Sequence, residues 1–233
     1  MKLPIGRLLT FILLQSLTTA LQASETGYEV ELIIFEDVKA RYLNSEDWSY
    51  NDMLNNKKDE LAKTTKTDPD PEFTQLNWEN SKLSSQIESL KNNSNYRILA
   101  TKRWKQTGLD REHAFNISID SKTSNTEVKT PQNTVKLITP DDPVTLEPSI
   151  AGSVKLIMSR YLHFNVNLQY TRPQSTEDGE IVNMVLPIVN ERRMRSREIH
   201  YIDHPLVGVI VLATPYKIIT NEDNATSTEY KTM

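Results

Sequence analysis

Residues 152–170, GSVKLIMSRYLHFNVNLQY, constrain the fold more than any other stretch of the chain. Val154, Leu156, Met158, Leu162, Phe164, Val166 and Leu168 keep strict period 2, broken only at Arg160. Successive strand side chains point to opposite faces, so this pattern demands β-structure with one face in a core. Lys155, Ser159, Tyr161, His163, Asn165, Asn167 and Gln169 form the opposite, polar face. The run is longer than an ordinary strand, which predicts a bend or split midway.

Other segments extend the pattern. STEDGE (175–180) reads as a turn, with Ile181 to Glu191 pairing back as a hairpin strand. In Tyr28 to Glu36, Tyr28, Val30, Leu32 and Ile34 share one face, while Ile33 and Phe35 predict burial on both sides near the end. Tyr96 to Gln106 alternates, with Tyr96, Ile98, Ala100 and Trp104 on one face. His113 to Ile119 is a short strand candidate, and Val207 to Ala213 a buried terminal strand. Asn80 to Asn92 has helical spacing at Leu83, Ile87 and Leu90, with Ser81 as the expected cap. A second short helix is expected near 51–62. The sum is an α+β fold: a mainly antiparallel β-sheet of about six or seven strands with one or two helices packed on it.

The ends and loops set the domain limits. Lys2 and Arg7 precede an apolar run, Leu8 to Leu17, and then small residues. This is the order of a secretory signal peptide over residues 1–23, with cleavage after Ala20 or Ala23. One domain is expected over 24–220, with long polar loops near 40–80 and 121–149 and a polar tail over 221–233. No later stretch is long and apolar enough for a membrane helix, so the mature chain is not expected to be membrane-embedded. The chain contains no cysteine, which excludes disulfides and a thiol nucleophile.

Charge excludes one class of partner and hints at another. The formal net charge is −4, which does not point to nucleic acid. Residues 24–95 hold 15 acidic and 8 basic side chains, whereas 96–220 hold 13 acidic and 16 basic. The mildly basic part favours an anionic ligand.

That part ends in RRMRSREIHYIDHPLVGVIV (192–211). The candidate ligand-binding residues are Arg192, Arg193, Arg195, Arg197, Glu198, His200, Tyr201, Asp203 and His204, together with Trp104. Arginines recognise carboxylates bidentately, and Tyr201 and Trp104 offer rings for sugar faces. In an extended strand Arg193, Arg195 and Arg197 would project together. The alternative is a salt-bridged strand edge that resists aggregation. Metal chemistry is a third option, through His200, Asp203 and His204. On an extended strand, however, the two histidines would stand about 13 Å apart, too far for one zinc ion, and Pro205 disfavours a helix there. There is no G-x-S-x-G and no glycine-rich phosphate loop, so no catalytic residue, metal ligand or cofactor is assigned.

The same C-terminal segment resembles the signature of the CsiV family, periplasmic peptidoglycan-binding proteins of Gram-negative bacteria. YEVELIIFE (28–36), YRILATKRWKQ (96–106) and SRYLHFNVNLQY (159–170) resemble that family in the right order. The resemblance implies a periplasmic, non-enzymatic accessory factor in cell-wall assembly. It also implies cooperation with an outer-membrane lipoprotein that activates a bifunctional penicillin-binding synthase. Two rival functions stand beside it. One is a protein–protein adaptor that docks through the acidic region 40–80 with Trp48 and Trp78. The other is a metal-dependent wall hydrolase.

Overall fold

The computed structural model describes residues 26–39, 73–121 and 147–218. The elements are β1 (Thr26–Asp37), β2 (Thr74–Gln75), α1 (Ser84–Lys91), β3 (Tyr96–Thr107), β4 (Ile117–Asp120), β5 (Ser149–Met158), β6 (Leu162–Ser175), β7 (Ile181–Met194), β8 (Ile199–Ile202) and β9 (Val207–Lys217). The expected signal segment 1–23, helix near 51–62 and tail 221–233 lie outside the described residues, as does most of the two long loops.

The period-2 run resolves into two strands. β5 and β6 pair antiparallel, from Met158↔Leu162 to Ser149↔Thr171. The connection is the three residues 159–161. An odd connection preserves residue parity across the reversal, so Leu156 and Phe164 stay opposite each other on the same face. The split predicted at Arg160 is therefore a hairpin turn. β7 continues the meander, pairing Ser175↔Ile181 through Leu162↔Met194. Its turn uses Gly179 at φ 81, a left-handed backbone that glycine adopts without a Cβ penalty.

β4-β5-β6-β7 form a four-stranded sheet, and β2-β3-β1-β9-β8 a five-stranded one. All pairings are antiparallel. The sheets share one core: Val30, Leu32 and Ile34 of β1, Val209 and Val211 of β9, and Trp104 meet Ile117, Leu156, Phe164, Val166, Leu168 and Ile188. The fold is β-rich, with nine strands in two stacked sheets among the described residues, not six or seven. The short β2 and β8 carry too few residues for a period-2 signal.

Two corrections come from backbone detail. The register slips between Ile34 and Phe35, so Ile34 faces Ala100 and Phe35 faces Ile98. This bulge sends Tyr96 and Ile98 to the outer face, away from Ala100 and Trp104. Those four therefore do not share a face. The short strand expected over His113 to Ile119 is β4, which begins only at Ile117 because Asp110 to His113 form a turn.

α1 covers the outer face of the five-stranded sheet, where Leu83 and Leu90 pack on Ile33, Phe35 and Leu212. That is why β1 is buried on both sides near its end. The cap position by backbone is Leu83, while the Ser81 hydroxyl accepts the Leu83 N–H at 3.1 Å. That hydroxyl donates to Glu31 of β1, a buried carboxylate that also accepts the Lys82 N–H (3.0 Å) and the Leu83 N–H (3.3 Å). A negative charge meets backbone amides that lead into the helix, where the helix dipole favours it. The helix is thus seated by the sheet beneath it.

Candidate ligand-binding face

The basic motif divides at the end of β7. Met194 is buried in the core, while Arg192 and Arg193 precede it on exposed strand positions. The chain then turns and crosses to the other sheet. Arg197 adopts φ 66, and its N–H donates to the Ala213 carbonyl at 2.8 Å. The expected single row of Arg193, Arg195 and Arg197 therefore does not form. Arg195 points to solvent, with Glu198 at 3.7 Å. An exposed pair at that distance contributes little, about 0–1 kcal/mol.

The HYIDHP corner serves the five-stranded sheet. The Arg195 N–H donates to His200 Nε2 at 3.0 Å, tying the turn. The Tyr201 ring stacks on Phe35 at 6.2 Å, and its hydroxyl donates to Asp203 at 2.9 Å. Burial, with that bond, raises the Tyr201 phenol above its ordinary range. Burial also pushes His204 down to about 4, against the smaller opposing pull of Asp203. Its Nδ1 accepts the Leu206 N–H at 3.3 Å. Among the described residues no three His, Asp or Glu side chains are grouped as a metal would need. Trp104 is fully buried with its indole N–H on Gln106 at 2.8 Å, so the stacking role predicted for it has no surface.

Arg193 lies instead on the outer face of the four-stranded sheet. Its register partner is His163, and the next outward pair is Glu191 with Asn165. Lys155 completes that second row from β5. The Arg193 guanidinium carbon sits 3.2 Å from the centre of the Tyr161 ring, and Arg160 approaches the same ring at 5.7 Å. Tyr161 remains 42% exposed. The platform thus unites the two motifs, 159–170 and 192–211, that the sequence keeps 21 residues apart.

A third segment completes the face. Asp110 accepts the His113 N–H at 2.9 Å and the Glu112 N–H at 3.1 Å, closing a turn. The Leu109 carbonyl accepts the Met158 N–H at 2.7 Å, fixing that turn beside β5. Arg111 is thereby aimed at Glu191 and bonds both its oxygens, at 2.5 and 2.9 Å. His163 Nδ1 lies 3.1 Å from Glu191, and Asn165 also reaches it. The Arg111 bonds hold the Glu191 carboxyl down at about 2. Lys155 is lowered by burial and by Arg111. Arg111, Lys155, Tyr161, His163, Asn165 and Glu191 were not among the predicted site residues. The signal available for four of them was the polar side of the period-2 run.

The face is a shallow cationic surface around one neutralised carboxylate. It offers an aromatic ring, guanidinium and ammonium donors, and amides. Such a set can bind an extended polymer bearing carboxylates and acetamido sugars. Among the described residues no helix is long and apolar enough to cross a membrane. No curated protein and no solved structure matches the chain. A family model described as CsiV, peptidoglycan-binding protein, matches residues 7–216. With that match spanning both sheets and both basic motifs, the chain belongs to the CsiV family of peptidoglycan-binding proteins.

Proposed function

We propose that this protein is a periplasmic, non-enzymatic accessory factor of cell-wall assembly that holds peptidoglycan on the outer face of its four-stranded sheet. The observation that carries this is the meeting of Tyr161, His163, Arg193, Glu191 and Arg111 on one exposed surface. The Tyr161–Arg193 platform takes a sugar face, and the guanidinium edges take stem-peptide carboxylates. Among the described residues no carboxylate is paired with Arg193. A binding role suits Glu191 better than acid–base catalysis, because a group held at about 2 is far from the neutral range that proton transfer favours. Cooperation with a lipoprotein activator of a penicillin-binding synthase is part of the same reading, supported by the family resemblance.

Amide shifts of the isotopically labelled chain, titrated with solubilised sacculus fragments, test the location. Shifts are expected at Lys155, at 161–165 and at 191–193. Shifts confined to the α1 side, around Trp78 and Tyr201, would refute the assignment and favour the adaptor function. Trp78 itself is half-buried against the Ile33, Phe35, Leu83, Leu90 and Leu212 cluster under α1, and Trp48 lies outside the described residues.

A further inference from the structure

The inner rows of β1 and β6 both end in a charge. Beyond Val30, Leu32 and Ile34 comes Glu36; beyond Phe164, Val166, Leu168 and Tyr170 comes Arg172. Both charges therefore sit at the same open end of the sandwich, at the edge of the core. They line a cavity of about 480 Å³ with Arg97, Glu147, Pro148 and Pro173. This volume suits a small ligand.

The two charges are not paired with each other. Glu36 is buried, accepts the Tyr170 hydroxyl on one oxygen, and has Arg97 Nε at 3.3 Å from the other. Arg97 is half-exposed at the rim. Among the described residues Arg172 has no carboxylate of its own, and its Nη1 is buried without a hydrogen-bond partner. A buried guanidinium nitrogen with no acceptor is costly, because it has given up water without gaining a protein partner. The cavity thus presents one guanidinium inside, a second at its rim, and one already engaged carboxylate. What it lacks is an anion of planar, bidentate geometry. Glu147 is exposed at the mouth, placed to meet a positive group on the same ligand.

We propose that this cavity binds the free carboxyl terminus of a short peptide, with Arg172 and Arg97 as the anion clamp and Glu147 as the partner of the ligand's ammonium. The inference rests on the wall-binding function above, and specifies that a stem-peptide end enters the sandwich while the glycan lies on the outer sheet face.

The test is calorimetric titration of the mature chain with the dipeptide D-alanyl-D-alanine, its carboxyl free or amidated. The free acid is expected to bind at least tenfold more tightly than the amide. Arg172→Met is expected to erase that preference while leaving the unfolding midpoint within the wild-type range. Should that variant not fold, Arg172→Lys takes its place, with the charge kept, the planar fork lost and the preference reduced. Equal binding of acid and amide, no binding at millimolar peptide, or an unchanged preference in the variant would each overturn the proposal. Sacculus pelleting separates the two claims. Wild-type protein that pellets but ignores the dipeptide refutes the cavity alone; wild-type protein that does not pellet refutes the wall reading.

Discussion

Glu31 provides the sharpest test of how the helix is held. Ser81 Oγ, the Lys82 N–H and the Leu83 N–H all converge on its Oε2, and the residue is 1% exposed. Glu31→Gln keeps the shape and removes the charge. A hydrogen bond to a charged acceptor contributes about 1.5–3 kcal/mol against about 1 for a neutral one, so three donors weakened together cost about 2 kcal/mol. For a domain of this size that is a drop in Tm of about 4–8 °C. Far-UV circular dichroism melts of Glu31→Gln against Glu88→Gln, on the exposed side of α1, give the comparison. The Glu88 change is expected to stay within about 0.5 kcal/mol of wild type. If Glu31→Gln does the same, the carboxylate does not seat the helix. Because the helix and the ligand face lie on different sheets, sacculus binding below the transition is expected to survive.

Two further outcomes follow from single residues. Gly152 has φ 138, and a Cβ there would lie 2.4 Å from the Asn167 carbonyl oxygen. Gly152→Ala is expected to cost about 3 kcal/mol or more in denaturant unfolding, combining backbone strain with a clash that β6 cannot relieve; a loss under about 1 kcal/mol would refute it. His204 is depressed to about 4, so the unfolded state binds its proton first as pH falls. Its stability contribution is full above about 6.5 and is lost as pH drops toward 4, by about 2 kcal/mol after discounting its partial exposure. His204→Gln is expected to lose that much less than wild type between pH 7 and pH 4, read as denaturant midpoints; parallel losses in the two proteins would contradict it.

What the sequence disclosed follows the range of its physics. Period 2 is local, so it located β5 and β6, their polar face and the break at Arg160. It could not distinguish one bent strand from a hairpin, because three turn residues preserve parity. The bulge near Ile34 has no side-chain signature, so Tyr96 and Ile98 were assigned to the face of Trp104. Trp104 itself shows why an aromatic in an alternating strand belongs first to the core. The arginine row failed at Met194, whose burial ends β7 and forces the chain across to the second sheet. The face itself joins residues 111, 155, 161–165 and 191–193, and the cavity joins Glu36, Arg97 and Arg172. Both depend on pairings between distant strands that no single-segment pattern encodes.

The most direct measurement is co-sedimentation of the chain, purified without residues 1–23, with peptidoglycan sacculi at about 50 and about 200 mM salt. The wild-type protein is expected to pellet, less so at the higher salt. The double change Tyr161→Ala with Arg193→Met is expected to weaken pelleting at least tenfold while the protein stays folded. A folded double variant that pellets as wild type does would contradict the assignment of peptidoglycan to this face.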